Sequence, residues 1–332
     1  MTFLSSAALL LPPATPLTDP TLDISGRWRG VSASPGRSPV DMAVQAGRAA
    51  ISASAVSSTD VRWTLHAGSG YQGPMGWPIH HGIQHGIVGN VGNALEVKQY
   101  CAAGLTTWIM ASSMLSGDDG AVVCTGADNW SWGDRYATSR SAGGEPFSDV
   151  AHAVVLTGGD GFADILGYGT ASCPGQARVW QTRESFWENA SLDDYRAAYE
   201  RAVAAHRPED ARDSLRMLVR AVRSALSAAA LSPQYITHFI PHGTGSGEPY
   251  RTLADKIGLP WSEALYDYQV AQGYLAVSTQ VAGLIHCAET GLKADSIVLL
   301  VAAEYQLSAT AVVLRIRRTP QVSGDGDVRV MA

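Results

Sequence analysis

From about residue 60 onward, the chain switches between two hydrophobic periods. Val61 to His66 reads as a short strand leading into a Gly-rich loop, Ala67 to Gly76, and Ile79 to Val88 has helical spacing. Ala94 to Tyr100 is strand-like. Ala102 to Leu115 then reads as a helix whose apolar positions include Leu105, Ile109 and Met110. The turn Ser116 to Gly120 precedes Ala121 to Gly126, a buried-strand signature. Cys101 therefore falls where a strand ends and a helix starts.

The C-terminal half echoes this arrangement more weakly. Arg212 to Leu231 has helical spacing, Tyr235 to Pro241 is a strand that delivers His242, and Ile297 to Ala303 and Thr310 to Arg317 are further apolar strands. The charged stretch Phe186 to Pro208 reads as helix bridging two halves, divided at residues 172 and 173. Strands alternating with helices in both halves predict an α/β protein with covered sheets.

Composition narrows the class. Hydrophobic residues make up 46% of the 332 and charged residues 16%, which suits a well-buried globular chain and excludes extended disorder. A net charge of −6 offers no basic footprint for nucleic acid. The apolar run Ala7 to Leu11 ends at Pro12 and Pro13, lacks a charged leader and is too short to span a bilayer, so neither a signal peptide nor a membrane segment is expected. Cys101, Cys124, Cys173 and Cys287 are scattered without CxxC spacing, which fits a reducing cytoplasm better than a disulfide framework or a zinc site.

Two residues carry candidate chemistry. A thiol at a helix start, like Cys101, faces unpaired N–H groups that favour thiolate and can hold an oxyanion. Ala102, Ala103 and Gly104 beside it leave room for a substrate. His242 opens the flexible stretch Gly243 to Gly247 at a strand end, a suitable place for a general base. His81 and His85 have metal-chelating spacing but no third ligand, so they read as surface groups. The Gly68 to Gly73 string lacks the Lys-Ser/Thr ending of a phosphate loop and reads as a plain loop.

Taken in order, the segments Glu96 to Gly104, Phe147 to Ala153 and Pro241 to Gly243 resemble motifs of the ketosynthase III (β-ketoacyl-acyl carrier protein synthase III) branch of the thiolase superfamily, over about residues 50 to 317. The resemblance implies a five-layered αβαβα thiolase fold built from two pseudo-duplicated halves, and a homodimer. It also implies a pantetheine tunnel to Cys101, with acyl-CoA or an acyl carrier protein as donor and no permanently bound cofactor. Trp77 matches a position from which a partner subunit reaches the acyl pocket. Arg251 and Lys256 fall where the family docks its carrier protein.

Departures from the family matter as much. The condensing members carry an Asn that, with the His, stabilises an enolate, whereas the matching segment here runs Val277 to Gly283 without one. Either Ser278 or Thr279 is then the candidate third catalytic member, bonding His242. The family's late Gly-Gly-Gly-Phe turn is replaced by Glu304 to Leu307, which puts Gln306 near the oxyanion position. The combination resembles acyltransferase offshoots serving natural-product (polyketide-type antibiotic) assembly, which would acylate a hydroxyl or amine by ping-pong transfer. A decarboxylative condensing enzyme and a catalytically dead scaffold are the alternatives.

Overall fold

The structure, a computed structural model, describes residues 1–115, 120–180 and 192–332. Its first half runs β1 (Phe3–Leu10), β2 (Ala14–Pro16), β3 (Gly30–Ser32), α1 (Pro39–Ala53), β4 (Val61–Ala67), α2 (Ile79–Val88) and β5 (Asn93–Val97), then α3 (Ala103–Met114), β6 (Ala121–Asp128), α4 (Ala137–Ala142) and β7 (Val150–Thr157). The rest comprises β8 (Ala163–Ser172), α5 (Leu192–Ala205), α6 (Pro208–Ala228), β9 (His238–Ile240), α7 (Glu248–Ile257) and α8 (Glu263–Gln272). After these come α9 (Thr279–Thr290), β10 (Ile297–Glu304), β11 (Ser308–Ile316), β12 (Val322–Asp325) and β13 (Val328–Met331).

Strand pairing shows the duplication. In the first half β4 lies parallel to β6, β6 antiparallel to β7, and β7 antiparallel to β1. In the second, β9 lies parallel to β10, β10 antiparallel to β11, and β11 antiparallel to β8. β5 adds an outer strand parallel to β4. The two sheets meet through a short antiparallel contact of Phe3 and Leu4 with Asp164 and Ala163. The division expected at 172 and 173 falls at the end of β8, a strand whose main pairing is with β11 of the second half.

Three apolar clusters define five layers. The central one buries α3 and α9 between the sheets, joining Leu105 and Trp108 to Leu284 and Ile285 and to strand residues from both sheets. A second packs α6 and α7 on β10 and β11, and a third packs α1 and α2 on β1, β6 and β7. Helices sandwiched between sheets must be apolar all round, and the buried positions of α3 and α9 follow that rule. This is the αβαβα thiolase arrangement.

Two sequence expectations shift. The resemblance starts near residue 50, yet β1 sits at the middle of the hydrogen-bonded path and also pairs with β13. Its eight residues are all buried, so it shows a continuous apolar run rather than an alternating one. α1 is announced by Ser38, whose hydroxyl accepts from Asp41 N, with a proline at the first helical position. The charged bridging stretch lies partly outside the described residues, and α5 covers its end. Among the described residues, no helix is long and apolar enough to cross a membrane.

Candidate active site

The strand ahead of Cys101 stops at Val97, and a 3-10 turn (Tyr100–Ala102) then delivers the thiol to the start of α3. Tyr100 takes φ 41°, a left-handed conformation that costs a non-glycine residue energy and is held by the surrounding packing. Gly104 is required there, because a Cβ would run into the Val277 carbonyl oxygen. Cys101 is only 4% exposed. His242, 5% exposed, leaves β9 on a loop whose start is fixed by Gln269 Nε2 donating to Pro241 O at 3.1 Å.

The thiol and the imidazole do not meet directly; Tyr274 stands between them. Its hydroxyl donates to Cys101 Sγ at 2.8 Å and lies 2.8 Å from His242 Nε2. The backbone around Tyr274 is pinned, with its N–H donating to Pro146 O at 2.9 Å and its carbonyl accepting from Ser148 N at 3.0 Å. Ser69 Oγ donates to Cys101 Sγ from the other side at 3.6 Å. The Gly-rich loop is therefore more than a connector. Asp128 Oδ1 holds it by accepting from Ser69 N at 2.8 Å and Gly70 N at 2.7 Å.

The electrostatics correct one expectation. Burial pushes the Cys101 thiol up to about 12, against the lowering that hydrogen bonds from Tyr274 and Ser69 supply. A helix start alone does not make this a resting thiolate. Burial also takes the His242 imidazole down to about 4, so it is a neutral base at neutral pH. Burial holds the Tyr274 phenol well above its ordinary value, so it does not accumulate as phenolate.

Neither residue expected to orient His242 does so. Ser278 Oγ lies 2.9 Å from His152 Nδ1 instead, and Thr279 Oγ1 donates to Ala276 O at 3.0 Å. The reason is the 3-10 turn Ala276–Ser278, with Ala276 at φ 42°, which aims both hydroxyls inward. Gln280 comes nearest, its Nε2 lying 3.5 Å from His242 Nδ1 while donating to Val301 O at 2.9 Å. That contact is too long to fix the imidazole tautomer.

Cys101, Tyr274 and His242 open onto a cavity of about 590 Å³. Gln306 lines it too, at φ 68° after Tyr305 at φ 40°, and its Oε1 accepts from Ser214 Oγ at 3.3 Å. Two consecutive left-handed residues reproduce without glycine the tight turn that links β10 to β11. Trp77 does not line the cavity of its own chain; it is 44% exposed beside Gly73 and Gly82. Arg251 is also outside it, paired with Glu263 through both guanidinium nitrogens and lying 4.8 Å over the Trp261 ring. Lys256 is exposed on the same helix. His81 and His85 are surface groups, and no cluster of metal-ligating side chains occurs among the described residues.

Comparison with known structures places the fold. The chain has the thiolase fold of ketosynthase III proteins. It superposes on ChlB3, described as an acyltransferase, with TM-score 0.83 and 22% identity over 96% of this chain and 98% of that one. It matches 3-oxoacyl-[acyl-carrier-protein] synthase III from Aquifex aeolicus VF5 with TM-score 0.74 and 17% identity, over 95% of this chain and 100% of that one. The priming β-ketosynthase of the R1128 polyketide biosynthetic pathway gives TM-score 0.74 and 16% identity, over 96% and 97%. No family model and no curated protein sequence matches the chain.

Proposed function

We propose that this chain is an acyltransferase that carries the acyl group on Cys101 and passes it to a hydroxyl or amine. The observation that carries the reading is the hydrogen-bonded line Cys101–Tyr274–His242, which lines one cavity. For transfer the Tyr274 hydroxyl turns its proton from Cys101 Sγ toward His242 Nε2; as Sγ then attacks the thioester carbonyl, the thiol proton moves to Tyr274 Oη while the phenolic proton moves to His242 Nε2. The tetrahedral intermediate collapses by breaking the bond to the donor thiol, which leaves with the proton returned along the same line. An acceptor O–H or N–H then attacks the acyl-enzyme, its proton taking that route, and Sγ departs as thiol. Because Tyr274 stays neutral before and after each transfer, its two protons move together.

Several features support the rest of the reading. Among the described lining residues there is no asparagine, so the enolate donor pair of a condensing enzyme is missing. The fold shared with ChlB3 and the priming ketosynthase favours natural-product assembly, with the acyl group arriving on coenzyme A or an acyl carrier protein. The outer edge of β5 carries the exposed Leu95 and suits pairing with a second copy, and Trp77 is exposed and so free to reach toward the partner's cavity.

Intact-protein mass spectrometry after incubation with a panel of acyl thioesters tests the mechanism. An added acyl mass, mapped to Cys101 and removed by hydroxyl or amine acceptors, is the expected result. No acyl mass from any donor would overturn the covalent route. Alkylation by iodoacetamide is a poor substitute, because burial keeps the resting thiol protonated in either case.

A further inference from the structure

Among the described residues two carboxyls line the cavity; Glu248 is exposed, Glu145 is half-buried, and the transfer chemistry above gives Glu145 no task. Its backbone is fixed on both sides. Gly144 N donates to Thr138 O at 3.2 Å, Thr138 Oγ1 donates to Glu145 O at 3.0 Å, and Pro146 O accepts from Tyr274 N. The carboxyl therefore hangs from the same short ladder that positions Tyr274. The Glu145 carboxyl accepts a hydrogen bond from its own backbone N–H, and no side-chain donor meets it among the described residues. Arg212, which also lines the cavity, sits exposed and is paired with Glu209 at 3.1 Å.

The cavity that Glu145 lines has aromatic walls. Trp130 stacks on Phe147 with centroids 4.1 Å apart, Trp180 meets Tyr305 at 4.4 Å, and the Tyr199 ring packs against Gly144. Desolvation pushes Glu145 up to about 7, against the lowering from its own backbone N–H, so a ligand donor would meet a carboxyl that is incompletely satisfied. Flat walls favour a flat, apolar body, and the acid at their edge marks where that body must be polar.

We infer that Glu145 is a specificity residue, and that the acyl group carried on Cys101 is an aromatic unit bearing a hydrogen-bond donor, a hydroxyl or an amine, that the Glu145 carboxyl receives. The inference rests on the acyl-transfer reading for its placement on Cys101. A site built to accept a hydrogen bond discriminates against the analogue that lacks the donor, because the carboxyl then gives up water without gaining a replacement partner.

The test uses N-acetylcysteamine thioesters of phenylpropionate, of its three ring-hydroxylated isomers and of its ring-aminomethylated isomers. The readout is kcat/KM for acylation of Cys101 in the wild-type chain, Glu145→Gln and Glu145→Leu. One donor-bearing isomer is expected to be preferred about tenfold or more over the unsubstituted ester, with that ratio falling toward one in Glu145→Leu. Glu145→Gln separates the sources: a hydroxyl preference survives through the amide oxygen, whereas an amine preference is lost with the charge. A wild-type ratio near one, or a ratio unchanged in Glu145→Leu, overturns the inference. If no ester acylates Cys101, the transfer reading fails, and calorimetric binding of the same esters to the Cys101→Ala protein still decides the role of Glu145.

Discussion

The two turns that start the central helices share a geometry and differ in content. Tyr100 at φ 41° leads Cys101 into α3, and Ala276 at φ 42° leads Val277 into α9. Each turn follows the outer elements of its half and touches the other turn across the pseudo-twofold centre. One carries Cys101, the proposed nucleophile; the other carries a buried valine, 1% exposed, and is preceded by the tyrosine that bonds Cys101. Duplication thus supplies two equivalent strained turns, and in the proposed mechanism side chains alone decide which becomes reactive. The second half contributes by reaching across, with Tyr274 and His242 as its share.

The sharpest way to break this comparison is to remove the reactive side and equip the other. Cys101→Ala is expected to abolish acyl loading, and adding Val277→Cys is expected not to restore it, because Tyr274 and Ser69 aim at position 101. Intact mass spectrometry reads both. In the packing, by contrast, the halves should behave alike. Leu105 of α3 and Leu284 of α9 lie in the same central cluster, and Leu→Ala at either should cost about 2–5 kcal/mol in chemical denaturation.

Protonation sharpens the chemical side. The competent pair, neutral imidazole and neutral thiol, holds between the His242 value of about 4 and the Cys101 value of about 12. Lowering the pH from about 8 to about 5.5 protonates an ordinary imidazole, of pKa about 6.5, and would cost it roughly tenfold in active form. His242 should lose almost none over that span. A flat single-turnover acylation rate is therefore expected. The smallest effect concerns strain alone: Ala276→Gly relieves the left-handed residue at the price of a looser unfolded chain, and should stabilise by about 0.5 kcal/mol in thermal unfolding.

Much of this was legible in the chain. Val61 to His66, Ile79 to Val88 and Ile297 to Ala303 lie within elements of the observed type, because their apolar periods match the faces they bury. Cys101 and His242 stood out by residue type at a strand end, and the structure brings them to one cavity. β1 was missed because a strand buried on both faces shows no alternation. Tyr274 was missed for a different reason: a tyrosine in an apolar loop reads as packing, and its partner lies 173 positions away. Ser278 and Thr279 looked suitable by distance along the chain, but a left-handed residue two or three positions earlier turns their hydroxyls elsewhere. Local pattern carries no sign of such a reversal.

The relay itself is tested most directly by a double-mutant cycle on single-turnover acylation, using Tyr274→Phe, His242→Ala and the double variant. If the proton passes through Tyr274 to His242, each single change slows acylation by about 10²-fold or more, and the double variant is no slower than the worse single one. Multiplying effects, or a Tyr274→Phe protein as fast as the wild type, would contradict the account.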